Sequence, residues 1–170
     1  SLAEYLRQID VHIGTLFILN NELQDIHVQV EPYVGGWRIQ AENPLLSGRL
    51  SLPDAEDQAW LASLDYLHFP PRVVPEEKVL PDLKPVDDPL SDVNPASVPP
   101  LDFSVAELKI GEQLLGEFSF QLRPDAAGAN IANFRMSSQD SSITDLAGTG
   151  GANIDWRYAA GMHTSSFNGL

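Results

Sequence analysis

The sequence contains no cysteine, which excludes disulfide scaffolds, thiolate metal sites and cysteine nucleophiles. Positive charge is scarce. Ten basic residues stand against 24 acidic ones, for a net charge of −14. A surface of that sign repels a phosphate backbone, so nucleic acid is not an expected partner. It also opposes electrostatic docking onto anionic headgroups, but not contact with acyl chains, which is an apolar matter. No apolar run approaches the ~20 residues of a membrane-spanning helix. Ser1-Leu2-Ala3-Glu4 has neither a basic stretch nor an apolar core of the signal-peptide kind, and the chain stops at Phe167-Asn168-Gly169-Leu170 in strand-like sequence. Both ends read as those of a fragment or processed piece, with any targeting signal outside it. What is abundant is apolar content, 43% of residues, enough to bury a core.

That content is organised by an internal repeat. Shifted by 92 positions, residues 8–40 align with 100–132 without a gap, and eight of the 33 pairs are identical. Ordinary composition gives roughly two. Within each copy the period is two. Ile9, Val11 and Ile13 alternate with polar or small residues, as do Ile26, Val28 and Val30; Phe103/Val105 and Phe118/Phe120/Leu122 repeat the pattern. Such alternation puts the apolar set on one face of a half-buried strand. The parity changes between Ile13 and Leu16, and again between Val105 and Leu108. This predicts a bulge or bend near Gly14-Thr15 and Ala106-Glu107. Turns are expected at Asn20-Asn21 and Glu112-Gln113, and again at Pro32 to Gly36 and Pro124 to Gly128. Leu46 to Leu52, Trp60 to Phe69, Thr149 to Tyr158 and His163 to Leu170 continue the strand character, while Asp54 to Asp57 read as a loop or one helical turn.

The expected fold is all-β: an antiparallel meander of two related repeats forming a curved, groove-like or sandwich-like sheet. The first repeat spans residues 1–69 and the second, whole or truncated, 101–170. Between them, residues 70–100 hold nine of the thirteen prolines and six acids. Proline cannot donate to a ladder, so this connector reads as extended and polyproline-like, with Leu80, Leu83 and Leu90 available to pin it.

No catalytic constellation stands out. His12 and His27 suggest a two-histidine metal site, but both fall on the polar face and their repeat counterparts are Ser104 and Ser119. Asp10 and Asp102 recur at one repeat position, yet a whole repeat separates them, so exposed strand aspartates are the simpler account. Asp82, Asp87, Asp88 and Asp92 match no calcium loop. Gly148-Thr149-Gly150-Gly151 lacks a phosphate-loop lysine, and the serines at 137–138, 141–142 and 165–166 have no nucleophile-elbow context. Neither an enzyme nor a cofactor or metal is expected. What remains is the apolar face. Pattern alone favours a core sealed by a second sheet, an adhesion or protein-interaction module without lipid; an open trough is the other reading.

The motif Pro100-Leu101-Asp102-Phe103-Ser104-Val105, then Glu107-Leu108-Lys109-Ile110-Gly111, Leu114-Leu115-Gly116, Phe118-Ser119-Phe120 and the Gly128 turn resembles the C-terminal repeat region of YhdP-type AsmA-like proteins. Gly36-Trp37-Arg38-Ile39 is similar to the glycine–tryptophan turn of that repeat, as is Gly148-Thr149-Gly150 with Trp156, Thr164 and Phe167. The first copy departs from the pattern with Gln24 in place of glycine, the second with Ala129 in place of tryptophan, and the connector is long. The resemblance implies a section of a periplasmic protein anchored in the inner membrane of a Gram-negative bacterium. Such proteins form a long curved β-sheet whose hydrophobic groove moves phospholipid toward the outer membrane. It implies phospholipid acyl chains, neighbouring repeats of the same longer chain and the two membranes as partners, and it favours the open trough. The lipid-contacting residues would then be Ile9, Val11, Ile13, Leu16, Ile18, Ile26, Val28, Val30, Phe103, Val105, Leu108, Ile110, Phe118, Phe120 and Leu122.

Overall fold

A computed structural model describes residues 8–18, 21–71, 93–137, 142–143, 152–159 and 162–168. The period-two segments form strands β1 (Ile9–Ile18), β2 (Asn21–Tyr33), β3 (Gly36–Asn43), β4 (Leu46–Pro53) and β5 (Trp60–Phe69). After the connector follow β6 (Leu101–Ile110), β7 (Gln113–Asp125), β8 (Gly128–Ser137), β9 (Ser142–Ile143), β10 (Ala152–Ala159) and β11 (Met162–Asn168). All eleven belong to one sheet, in the order β1-β2-β3-β4-β5-β6-β7-β8-β10-β11, with the short β9 also pairing with β8. The sheet does not close into a barrel, and no second sheet faces it among the described residues.

The repeat is visible strand by strand. β1 and β6 begin and end 92 residues apart, as do β2 and β7, and β3 and β8 begin at the same offset. Register is shared too: Ile9 faces Val30 as Leu101 faces Leu122, and Val30 faces Ile39 as Leu122 faces Ile131.

One joint breaks the antiparallel meander. β5 and β6 run parallel, with Trp60 beside Leu101, Leu64 beside Val105 and Phe69 beside Ile110. A parallel joint cannot be made by a hairpin, because the chain must travel back along the full strand before re-entering the sheet. That requirement explains the long connector. Its described end forms a single 3-10 turn, Pro95–Ser97, capped by the Asn94 side chain; Pro95 is buried and the turn packs against β7, β8 and β10. Leu80, Leu83, Leu90 and the acidic residues 82–92 lie outside the described residues.

The predicted parity changes line up into a crease that crosses the sheet. In β1 and β2, Gly14 and Asp25 fall between the rungs Ile13↔Ile26 and Thr15↔Gln24, and the ladder continues without a register shift, so the two strands bend together. In β5, Asp65 is an extra residue against β4, and Ala106 of β6 accompanies it, so that joint also stays in register. In β6 and β7 the register shifts between Val105 and Lys109. Between β2 and β5 the crease passes through Asn43, whose Nδ2 donates to Gln24 O at 3.0 Å while its own carbonyl accepts the Tyr66 hydroxyl at 2.7 Å. Its Oδ1 accepts from the Leu45 and Leu46 amides at 2.9 and 2.6 Å.

The crease explains one departure of the first copy. In the second copy the left-handed residue is Gly116, at φ 79°; the first copy has Gln24 there, and the left-handed conformation moves one residue on, to Asp25 at φ 55°. Aspartate tolerates that region better than glutamine does, because its short side chain bonds locally. The other glycine positions, Gly36 and Gly128, mark close approach. A Cβ on Gly36 would overlap the Leu52 carbonyl oxygen, and one on Gly128 the Trp156 carbonyl oxygen. Residues 54–57 form a turn rather than a helix.

Candidate functional site

Directly opposed residues of a ladder share a face, so the register assigns every strand's sides. One face collects Ile9, Val11, Ile13, Leu16 and Ile18 of β1 opposite Val30, Val28, Ile26 and Leu23 of β2. It continues through Ile39 and Ala41, then Leu50 and Gly48, then Ala62 and Leu64. Across the parallel joint come Phe103, Val105, Leu108 and Ile110, then Phe120, Phe118 and Leu122 of β7. Ile131 and Ile154 carry it to β10. All fifteen residues named from the sequence lie on this one face.

Sequence reasoning left β3 to β5 and β8 to β10 out of that set altogether. Leu46, Leu64, Leu67, Trp37 and Trp60 alternate in the sequence as regularly as the named residues do. Leu46, Trp60, Leu64 and Leu67 fall outside the aligned repeat and Trp37 is matched there by Ala129, which is why the repeat did not single them out.

Burial is graded. Leu23 and Ile26 are 0% exposed and Val105 1%, and these with Leu46, Leu67 and Leu108 form one apolar cluster beside the crease. Away from it, on the same face, Val11 is 41% exposed and Trp60 37%. A bend toward the apolar side brings side chains of successive strands together at the fold line and leaves the strand ends less covered. In the second repeat the face is aromatic. Phe103 stacks on Phe120 with centroids 5.1 Å apart, and Phe118 meets Phe134 edge-on at 5.1 Å. The first-repeat counterparts of Phe103, Phe118 and Phe120 are the aliphatic Val11, Ile26 and Val28.

The opposite face is mainly polar, interrupted by the exposed Phe17 and Leu61. His12 and His27 stand directly across the β1–β2 ladder, each paired diagonally with a carboxylate: His12 with Asp25 and His27 with Asp10, both at 3.4 Å. All four side chains are more than half exposed. Asp10 titrates below its ordinary value, chiefly through its hydrogen bond from Gln8 and with help from His27. Among the described residues no group of three or more histidine, aspartate or glutamate side chains is arranged to hold a metal. Asp102 is engaged by Arg123 and sits five strands from Asp10, about 24 Å along the sheet, so the two do not form a carboxylate pair. His68 meets Glu107 at 2.6 Å across the parallel joint. Arg157 holds both Asp125 and Asp155, tying the β7–β8 turn to β10. The glycine-rich stretch 148–151 lies outside the described residues.

The second departure from the repeat also has a structural reason. Ala129, which stands where the first copy has Trp37, is fully buried and faces Trp156 across the β8–β10 ladder. The neighbouring strand supplies the indole, and a tryptophan at 129 would compete for the same space. No helix among the described residues is long and apolar enough to cross a membrane.

No curated protein and no solved structure matches the chain. A family model described as "YhdP protein" matches residues 2–170, the whole length but one residue. With the repeat, its glycine turns and the single creased sheet in place, that match establishes that the chain belongs to the YhdP family.

Proposed function

We propose that this chain is a non-catalytic section of a periplasmic lipid-transport bridge, and that its apolar face takes the acyl chains of phospholipids. The observation that carries the reading is the continuity of that face from β1 to β10 on a single sheet with a mainly polar back. An apolar surface of this extent, with no second sheet over it among the described residues, is uncommon on a protein whose face has no ligand or partner. Membership of a family associated with lipid transport in the bacterial envelope supports it.

The mechanism is passive. An acyl chain leaving water gains about 0.8 kcal/mol per buried CH₂. Neighbouring strands offer similar aliphatic and aromatic contacts, so displacement by one strand spacing exchanges one set of weak dispersion contacts for another. In this reading the section works between neighbouring repeats of a longer chain anchored in the inner membrane.

A sealed sandwich serving as an interaction module is the competing reading. It requires a second sheet over the apolar face, and the described strands form one sheet only. The test is a photo-crosslinking residue at Phe120, with Ser119 as the opposite-face control, in the full-length protein in cells. Phospholipid captured at Phe120 and not at Ser119 is the expected result. Capture at neither, in protein shown to be folded, would remove the lipid reading.

A further inference from the structure

The apolar face has two unlike ends. All three tryptophans of the chain lie on it, and all stand toward the same strand end. Trp37 is the second residue of β3 and faces Leu52. Trp60 opens β5 beside Leu101. Trp156 of β10 faces Ala129, the second residue of β8. This is the end that carries the β2–β3, β4–β5 and β7–β8 turns. The crease, with the fully buried Ile26 and Val105, crosses the other half of the strands.

Tryptophan combines a large apolar body with one N–H donor, and it settles where apolar and wet surroundings meet. Trp60 is 37% exposed, and the Trp156 Nε1 donates to His163 Nδ1 at 3.0 Å, with the Tyr158 ring tilted against the same imidazole. The crease side carries aliphatic side chains together with the phenylalanines Phe69 and Phe118 instead. The spacing suits one lipid tail. From Trp60 to Leu64, at the edge of the crease, four strand intervals cover about 13 Å. Half of a ~30 Å hydrocarbon core, the depth of one leaflet, is about 15 Å.

We infer that the trough is polarised across its width: a bound phospholipid lies with its headgroup at the rim formed by Trp37, Trp60 and Trp156 and its tails directed toward the crease at Ile26, Leu67 and Val105. The inference rests on the proposed lipid-binding function and adds an orientation to it. The three tryptophans are positioning residues that fix which edge of the sheet the headgroup leaves exposed.

The native tryptophans report on this directly. The intact chain is loaded from phosphatidylcholine vesicles carrying a nitroxide either on the choline or near the methyl ends of the acyl chains, and the vesicles are then removed. The headgroup nitroxide is expected to quench tryptophan fluorescence about twofold or more over the tail-end nitroxide, as at a membrane interface. Equal quenching, or stronger quenching from the tail end, overturns the orientation while leaving lipid binding intact. No quenching by either probe, with no lipid phosphorus in the protein fraction, overturns the lipid-binding function itself and the orientation with it.

Discussion

The Asn43 side-chain amide donates to the main-chain carbonyl of Gln24 at 3.0 Å, fastening the β3–β4 turn to the residue beside the left-handed Asp25. Asn43 is the buried polar residue of the described core, and its carboxamide serves three main-chain groups at once. Replacing it with leucine leaves those groups without their partner. The variant is expected to lose about 2–4 kcal/mol, the scale of several orphaned buried polar groups. Urea unfolding measures the loss, and hydrogen exchange should accelerate at the Leu45 and Leu46 amides. A loss below about 0.5 kcal/mol, typical of a surface change, would show that the turn does not depend on this residue.

Gly36 and Gly128 occupy one repeat position, and each has a neighbouring strand's carbonyl where a Cβ would sit. Gly36→Ala and Gly128→Ala are each expected to destabilise by about 2 kcal/mol or more through forced backbone displacement. Gly14 meets nothing within 4 Å and does not have a positive φ, so Gly14→Ala is expected to fall within about 1 kcal/mol of the parent, on the stabilising side. Comparable losses at all three positions, read by thermal unfolding, would contradict the close-approach account.

The displaced left-handed residue gives a reciprocal pair of outcomes. Gly116→Gln, which imports the first copy's residue, is expected to cost about 1–2 kcal/mol, because glutamine at φ 79° is strained. Asp25→Gly relieves a strained aspartate, and its exposed pairing with His12 is worth little, so stability is expected to hold or rise slightly. Denaturant midpoints of the two variants measured side by side decide the matter. A harmless Gly116→Gln would refute it.

Asp125 links pH to the second repeat. Its hydrogen bond with Arg157 is the leading cause that holds its carboxyl below the ordinary value of 3.8, and the Ala127 amide adds to it. A depressed folded-state value means that the native state favours the carboxylate. The stabilisation is therefore fully present above the unfolded-state value and is lost as pH falls through the folded one. An NMR titration of the Asp125 carboxyl is expected to show a midpoint below 3.8. Asp125→Asn should flatten the acid limb of the stability curve. A midpoint at or above the ordinary value would mean that the ion pair does not persist in solution.

Much of this was legible in the sequence because it is local. Alternation at Ile9-Val11-Ile13 and at Phe118-Phe120-Leu122 depends on backbone pleat alone, and the parity change from Val105 to Leu108 marks a bend wherever the strand lies. The parallel joint was not legible, because the partner of Trp60 is decided by where a proline-rich connector re-enters the sheet, and no residue of β5 encodes that. Asn43 escaped notice for a similar reason: its partners, Gln24 and Tyr66, meet it only once β2, β3 and β5 are side by side. Ala129 reads as a defect of the repeat until Trp156 is seen across the ladder.

The parallel joint has an arithmetical consequence. The first repeat contributes five strands, an odd number, so β1 and β5 point the same way. A hairpin after β5 would start the next repeat upside down, placing its glycine turns on the opposite margin. By returning the chain through a long crossover, the connector restores the starting direction, and Gly36 and Gly128 come to lie on one margin. The two repeats are thus related by translation with twist and not by a two-fold rotation. The sheet acquires a head-to-tail sense that a simple meander of five-strand units would cancel at every second unit.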